Sequence, residues 1–262
     1  MTYVLAFAAN LLVGACIGLT GIAGFLLPIF YVGVLGLAPV EALALSFSAF
    51  LVSGVLGTPA YHATGDLPVR EVAWLSLGSL VGALVGVRVG LVLPAAVLTA
   101  LLYVVVLCSG ISVLVRMRPR PREAAGAPAA SGEIDLPGWR LAAVGATTAV
   151  VCAATGAGGP VLVVPILMLL GLAPRSAVAA GLAGSVAIAV PSAIGYLWGG
   201  GVSGAVWALM PAALVGHAVG VLLGSRSSRR IDADALKAIV AVGSVAVALY
   251  KLLPMAAGVL AG

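Results

Sequence analysis

Apolar residues along the 262-residue chain form ten stretches, five on each side of one long polar interruption. In the first half the stretches cover residues 2–19, 25–36, 42–61, 72–92 and 95–115, and in the second half 139–154, 160–172, 177–198, 206–223 and 236–253. Several of them contain about 20 residues, the helix length that crosses a hydrocarbon core about 30 Å thick. The pattern therefore predicts an all-α, polytopic membrane protein.

The two halves of the chain repeat one another. The motif T-G-I-A-G at residues 20–24 returns as T-G-A-G-G at residues 155–159, and G-L-A-P at 36–39 returns at 171–174, so both motifs recur after 135 residues. Residues 80–90 also match residues 214–224, at an offset of 134. In a membrane protein, duplicated units with glycine breaks in their apolar segments are typical of transporters that bind substrate between the repeats.

The polar interruption between the halves covers residues 116–138 and is rich in arginine and proline. Such a composition is typical of a flexible linker. We therefore expect an N-terminal transmembrane repeat over residues 1–115, a cytoplasmic linker over 116–138 and a C-terminal transmembrane repeat over 139–262.

The second apolar stretch of each half is too short to cross a bilayer. Residues 25–36 would rise about 18 Å as a helix, so the stretch is either the end of one broken helix or the return arm of a hairpin. A single broken crossing divides the thirteen Lys and Arg residues seven to six between the two sides, whereas a hairpin divides them eleven to two. Because cytoplasmic loops carry an excess of basic residues, the hairpin is favoured.

A hairpin gives each half an odd number of crossings. We therefore expect two inverted-topology repeats, each with a glycine-broken helix hairpin followed by three transmembrane helices. Both termini would lie outside the cell and the linker inside, with Arg88 and Lys251 as the two basic residues on the outer side. Whether the hairpin arms span fully or re-enter stays open, because both alternatives give the same loop positions.

Composition agrees with a multi-pass protein, which we expect in the cell inner membrane. Hydrophobic residues make up 63% of the chain and charged residues 8%, against roughly 25% charge in soluble domains. The net charge of +5 comes mostly from loop arginines, which report membrane orientation rather than a nucleic-acid partner. Cys16, Cys108 and Cys152 lie within apolar stretches and are expected to pack as small residues, so we expect neither a metal site nor a cofactor.

The two glycine motifs form the candidate substrate site. Glycine frees the backbone from helical geometry, and threonine can hydrogen-bond the backbone groups that the break releases. A new helix starts after each break, so two helix N-termini would point at the centre of the protein and bind an anion without a charged side chain. The residues of this site are Thr20, Gly21, Gly24, Thr155, Gly156, Gly158 and Gly159. The alternative is that the glycines only allow helices to pack closely.

Five further residues are candidates for a part in transport. Tyr61 and Tyr196, also 135 residues apart, can hydrogen-bond substrate oxygens, although tyrosines also anchor helices at the membrane interface. His62 and His217 are candidates for proton relay, with a simply packed histidine as the alternative. Arg88 lies deep in an apolar stretch, where it either attracts anions to an outer vestibule or extends its charge to the interface.

Structural roles are expected for two other groups of residues. Glu41 follows Pro39 near a helix start and is expected to cap it, and Asp66 and Glu71 flank a loop and are expected to be solvated. Glycines spaced by four form stripes for close helix contact in lipid. These are Gly78, Gly82, Gly86, Gly90, Gly216, Gly220 and Gly224.

The duplicated glycine breaks, the V-V-P-I-L sequence after the second break and the glycine-spaced fourth stretch resemble those of the sulfite exporter TauE/SafE family, also called TSUP. The resemblance covers both halves and leaves out only the linker. It implies secondary transport, commonly outward, of small sulfur-containing anions such as sulfite, thiosulfate, sulfoacetate or other organosulfonates. Ala23, Phe25 and Leu27 depart from the family's usual first break, which leaves the particular sulfur anion open.

Charge alone favours export of an anion, because an inside-negative potential stabilises outward movement of one negative charge by about 2.3 kcal/mol per 100 mV. Coupling to protons through His62 or His217 stays open. The expected partners are the anion and the lipid bilayer, with a homodimer as an open alternative to a monomer. We expect no enzyme: Gly184, Ser185 and His217 lack the surrounding motif of an intramembrane serine protease. A membrane scaffold or assembly protein is the other alternative.

Overall fold

The computed structural model describes residues 1–20, 23–117, 136–227 and 233–260. All regular structure in these ranges is helical. The ten helices are α1 (Thr2–Thr20), α2 (Leu26–Gly33), α3 (Pro39–His62), α4 (Val69–Val92), α5 (Ala95–Met117), α6 (Gly138–Thr155), α7 (Gly159–Leu169), α8 (Pro174–Gly199), α9 (Gly204–Ser227) and α10 (Ala233–Leu260), and a 3₁₀ turn (Ala23–Phe25) precedes α2. Six of the described helices, α1, α3, α4, α5, α8 and α9, are long and apolar enough to cross a membrane. The chain is therefore an all-α, multi-pass membrane protein.

Each predicted apolar stretch corresponds to one helix, with ends that differ by a few residues. The second helix of each half is short, as predicted: α2 has 8 residues and α7 has 11. They rise about 12 and 16 Å, so neither crosses the hydrocarbon core alone. Most of the predicted linker, residues 118–135, lies outside the described residues.

The glycine stripes hold the two halves together. α1 packs along α9 and α4 packs along α6, so the first helix of each half lies on a helix of the other half. A Cβ atom at Gly82 would overlap the carbonyl group of Ala146, and one at Gly220 would overlap the carbonyl group of Leu11. Backbones in such direct contact leave space for glycine only. The predicted role of the stripes is confirmed, and the two halves are interlocked.

Helices α3 and α8 pack against each other near the centre of the molecule and run in opposite directions. At one end of the pair, the guanidinium of Arg175 at the start of α8 lies 3.1 Å from the carboxylate of Asp66, just after α3. At the other end, the carboxylate of Glu41 accepts a hydrogen bond of 3.0 Å from the backbone N–H of Ser203, just after α8. The start of each helix therefore lies beside the end of the other.

Of the three carboxylates, two behave as expected and one does not. Glu41 accepts a hydrogen bond of 3.2 Å from the backbone N–H of Ala38 and so caps α3, and Asp66 remains partly exposed beside Arg175. The expectation that Glu71 is solvated is wrong, because only 3% of this residue is exposed. α4 begins at Val69, earlier than predicted, which places Glu71 one turn before the buried Leu75 and on the same helix face.

We expect the Gly82→Ala variant to lose stability by roughly 1–3 kcal/mol, because a methyl group has no space beside the Ala146 carbonyl. Gly243 in α10 is a matched control, since nothing lies within 4 Å of its Cβ position, and Gly243→Ala should keep or slightly raise stability. The midpoint of thermal unfolding of each purified variant in detergent measures the difference. Equal midpoints for the two variants would contradict the close contact between α4 and α6.

Candidate functional site

The two glycine breaks meet at the middle of the molecule. A Cβ atom at Gly158 would lie 3.5 Å from the Cα atom of Gly24, so the break after α6 contacts the break after α1. Gly158 has a φ of +74°, a conformation that residues with side chains rarely adopt, and α7 starts at the next residue, Gly159. The structure thus brings Gly24, Gly158 and Gly159 together. Gly21 lies outside the described residues.

A small cavity of about 10 Å³ lies between the two breaks. It is lined by Ile17, Gly24, Phe50, Ser53, Gly158, Pro160, Leu182 and Ser185. This central cavity has room for about one water molecule, which is less than an ion of four heavy atoms needs. All of the lining side chains are neutral. The centre of the protein is therefore a closed, uncharged site in this state.

Phe50 is the largest side chain that lines the central cavity. The far edge of its ring lies 3.2 Å from the position that a Cβ atom of Gly24 would take. Its ring packs edge-on against Phe47, with ring centres 5.7 Å apart, and Phe47 stacks on Tyr196. The repeat offset pairs Phe50 with Ser185, so the two halves place different side chains at equivalent positions of the cavity. This asymmetry between an aromatic ring and a hydroxyl is not visible in the glycine motifs themselves.

The two threonines of the breaks hydrogen-bond their own helices. The Thr20 hydroxyl donates to the Cys16 carbonyl over 2.8 Å, and the Thr155 hydroxyl donates to the Val151 carbonyl over 2.7 Å. Both bonds lie in the last turn before the break. Gly156 follows with a φ of +69°, and its backbone N–H donates to the carbonyl of Cys152 over 2.8 Å. The threonine and glycine together therefore end α6 at the break.

Tyr61 and Tyr196 are buried within the helix bundle. The Tyr196 hydroxyl donates to the carbonyl of Ala153 over 2.8 Å, two residues before the second break. The residue is fully buried, and Tyr61 is 9% exposed. The burial of Tyr196 and its bond to Ala153 do not fit anchoring at the membrane interface, where a tyrosine keeps its hydroxyl in the polar headgroup region, whereas Tyr61 lies close to Asp66 and Arg175.

The two histidines occupy different places. His62 lines a larger cavity of about 500 Å³ between α3 and α8, at the end of the bundle that holds the Asp66–Arg175 ion pair. His217 is completely buried in α9, and its Nε2 atom lies 2.5 Å from the hydroxyl of Ser53. Arg88 is exposed on the outer face of α4. The histidine pair and Arg88 are therefore not gathered into one cluster.

The larger cavity and the central cavity are separated at one close helix contact. Gly54 lines the larger cavity and Ser53 lines the central one. A Cβ atom at Gly54 would overlap the side chain of Val186 and lie 2.9 Å from the hydroxyl of Ser185. α3 and α8 thus touch at the boundary between the two spaces.

Two polar residues near the site were missed by sequence reasoning. Ser53 contributes a hydroxyl to the central cavity, and Asn10 is completely buried, with its amide donating 2.7 Å to the hydroxyl of Tyr31. Asn10 is the only asparagine in the chain, and an amide in the middle of an apolar helix was a usable signal. Ser53 gave no such signal in the sequence, because serines are common in the surrounding segment.

A family model described as sulfite exporter TauE/SafE matches residues 6–251 of the chain. The matched range contains both glycine breaks and every residue that lines the central cavity. No curated protein and no solved structure matches the chain.

Gly24→Val should abolish transport while the protein stays folded, because its methyl groups would fill the central cavity, where a Cβ atom would lie 3.2 Å from the Phe50 ring edge. Thr155→Ala should have the smaller effect of one lost hydrogen bond, about 0.5–1.5 kcal/mol. Anion uptake by proteoliposomes, normalised to the amount of monodisperse protein, measures both variants. Normal uptake by Gly24→Val would mean that the glycine breaks serve packing alone.

Proposed function

The chain belongs to the sulfite exporter TauE/SafE family, and from that premise we propose that it is a secondary transporter that exports small sulfur-containing anions such as sulfite or organosulfonates. The observation that carries this proposal is the meeting of two glycine breaks around a closed central cavity. The anion binds there between the 3₁₀ turn that leads into α2 and the first turn of α7. The protein works in the cell inner membrane.

An anion at this place is held without a charged side chain. The first amides of a helix have no acceptor within the helix, and they carry the positive end of the helix dipole. The start of α7 faces the central cavity with Gly158 and Pro160, of which Gly158 carries a backbone N–H and Pro160 does not. The hydroxyl of Ser53 lines the same space, whereas the hydroxyl of Ser185, also in the lining, already donates to the Leu182 carbonyl over 2.6 Å. Backbone N–H groups and hydroxyls are the donors that oxyanions accept from in neutral sites.

The two halves are inverted-topology repeats. Helices α3 and α8 occupy equivalent positions in the duplicated sequence, since Pro39 and Pro174 recur at the offset of 135. In parallel repeats these equivalent helices would run in the same direction. Their antiparallel packing, with Asp66 beside Arg175 and Glu41 beside Ser203, supports inversion.

The larger cavity between α3 and α8 is the cytoplasmic entrance to the site. It opens at the end of the bundle where the Asp66–Arg175 ion pair lies, which is the basic and therefore cytoplasmic end under the positive-inside rule. An anion in the larger cavity reaches the central cavity only if α3 and α8 separate around Gly54. A rocking of one repeat against the other produces such a separation in transporters of this kind.

The structure gives less support to the alternative functions. A scaffold requires the glycine stripes but no cavity between two interrupted helices. For an intramembrane hydrolase, Ser185 and His217 would have to be paired, but the Ser185 hydroxyl donates to the Leu182 carbonyl over 2.6 Å. Ser53 does contact His217, yet His217 Nδ1 makes no hydrogen bond to any described residue. The acid that completes a serine, histidine and acid relay is therefore not in place there.

The inverted arrangement predicts the positions of the loops. Single cysteines introduced into a variant without Cys16, Cys108 and Cys152 should be labelled by an impermeant maleimide from outside at both termini and from inside within residues 116–138. The reason is that hairpins give each half an odd number of crossings. A cytoplasmic C-terminus would contradict the arrangement.

Export at a neutral site predicts flux that follows the membrane potential. Efflux of sulfite or sulfoacetate from proteoliposomes should rise with an inside-negative potential, because a net negative ligand gains free energy by leaving a negative compartment. It should depend little on a pH gradient once substrate ionisation is corrected for. The double variant His62→Gln/His217→Gln should keep flux within a few fold, because neither histidine is a required proton carrier. The potential is set with valinomycin and a potassium gradient.

One result would contradict export driven by the membrane potential. Flux that follows the proton gradient, ignores the potential and vanishes in the double glutamine variant belongs to an electroneutral, proton-coupled carrier. Liposomes without protein, and liposomes with Gly24→Val, serve as the controls for leak.

A further inference from the structure

Ser53 differs from the other hydroxyl residues of its helix. In α3 the hydroxyls of Ser46, Ser48 and Thr58 each donate to the carbonyl four residues earlier, over 2.6 to 2.8 Å. Such backward bonds satisfy a hydroxyl inside a membrane helix. For Ser53 the corresponding distance to the Ala49 carbonyl is 3.4 Å, while Nε2 of His217 lies only 2.5 Å away. The Ser53 hydroxyl is therefore drawn from its own helix towards α9.

The main polar contact of the His217 ring is with the Ser53 hydroxyl. The ring is completely buried, and a histidine inside the membrane is costly unless it serves a function. It lies beside the backbone of Asn10 in α1, but its Nδ1 atom makes no hydrogen bond to any described residue. The bond to Ser53 is thus its one polar contact of good geometry in the described part of the chain.

The direction of that hydrogen bond decides what Ser53 offers to the central cavity. A neutral imidazole carries one N–H and one acceptor nitrogen. If the proton were on Nδ1, the buried N–H would have only the backbone of Asn10 beside it, without hydrogen-bond geometry, which is the costlier arrangement in proteins. With the proton on Nε2, His217 donates to the Ser53 oxygen. The Ser53 O–H then has only its long bond of 3.4 Å to the Ala49 carbonyl to give up when it turns into the cavity, where an anion accepts it.

We propose that Ser53 is a binding residue for the transported oxyanion, and that His217 is a positioning residue that turns the Ser53 O–H towards it. This inference rests on the proposed function of the central cavity. The site is asymmetric in this respect, because the residue equivalent to Ser53 in the second half is Ile188. The first half therefore supplies the side-chain donor, Ser53, and the second half supplies the N-terminus of α7 beside it.

The direct test is the affinity of purified, monodisperse variants for sulfite and sulfoacetate, measured by calorimetry, together with the KM and maximal rate of uptake. Loss of a hydrogen bond to a charged ligand weakens binding by roughly ten- to a hundredfold. We expect Ser53→Ala to show this loss in the dissociation constant and KM. Ser53→Cys should show it too, because a thiol is a weak donor of similar size. Ser48→Ala is the matched control, since Ser48 is buried in the same helix and bonds only its own backbone.

Two substitutions of His217 test its role, one with a side chain that can donate a hydrogen bond and one with a side chain that cannot. The amide of Gln can replace the Nε2–H donor, so His217→Gln should bind the anion within a few fold of the wild-type protein. Leu cannot donate, so His217→Leu should weaken binding about as much as Ser53→Ala. Because His217 acts through Ser53, His217→Leu should add nothing further in a chain that already carries Ser53→Ala.

The outcomes separate this inference from the proposed function. If the wild-type protein neither binds nor transports sulfite or sulfoacetate, both are overturned. If it does, and both Ser53 variants bind like Ser48→Ala, the binding role of Ser53 is wrong while the proposed function stands. Equal losses in His217→Gln and His217→Leu, or a further loss from His217→Leu on top of Ser53→Ala, would overturn the positioning role.

Discussion

The constraint on which this structure depends is that no backbone polar group can remain unpaired against lipid. A helix interrupted at Thr20 or Thr155 releases N–H and C=O groups inside the helix bundle, where the two breaks contact each other. Such interruptions persist only where protein surrounds them on every side. The long helices α3 and α8 cover the breaks at the centre of the bundle. Two helix pairs cover them at the sides, α1 with α9 and α4 with α6. The direct backbone contacts of the glycine stripes are what make this enclosure tight.

The same enclosure supports the proposal that an anion binds at a neutral site. Water is largely excluded from the central cavity, so fixed dipoles act there at low dielectric. A charged side chain in this place would remain buried and unpaired whenever the site is empty, which is costly. Backbone amides and hydroxyls carry only partial charges, so the empty and the occupied states both remain accessible.

Much of the fold was predictable from the sequence, because it follows from hydrophobic length and from repetition. Ten helices, two of them short, and the glycine stripes all followed from runs of apolar residues and from glycines at every fourth position. The burial of Glu71 was not predictable in this way, since it depends on which face of α4 meets α6. The contact between Ser53 and His217 joins residues 164 positions apart and depends on the crossing of α3 with α9. Phe50 in the cavity was missed for a related reason: the repeat identifies equivalent positions but not what each half places there.

The interlocking of the halves has a consequence for how the protein is made. Phe7 in α1 contacts Gly216 in α9, 209 residues later in the chain. At a synthesis rate of about 5–20 residues per second, α1 waits roughly 10–40 s in the membrane before its packing partner exists. During that interval the face of α1 that packs on α9 has no cover from that helix. The first half therefore completes its packing only after the last third of the chain has been synthesised.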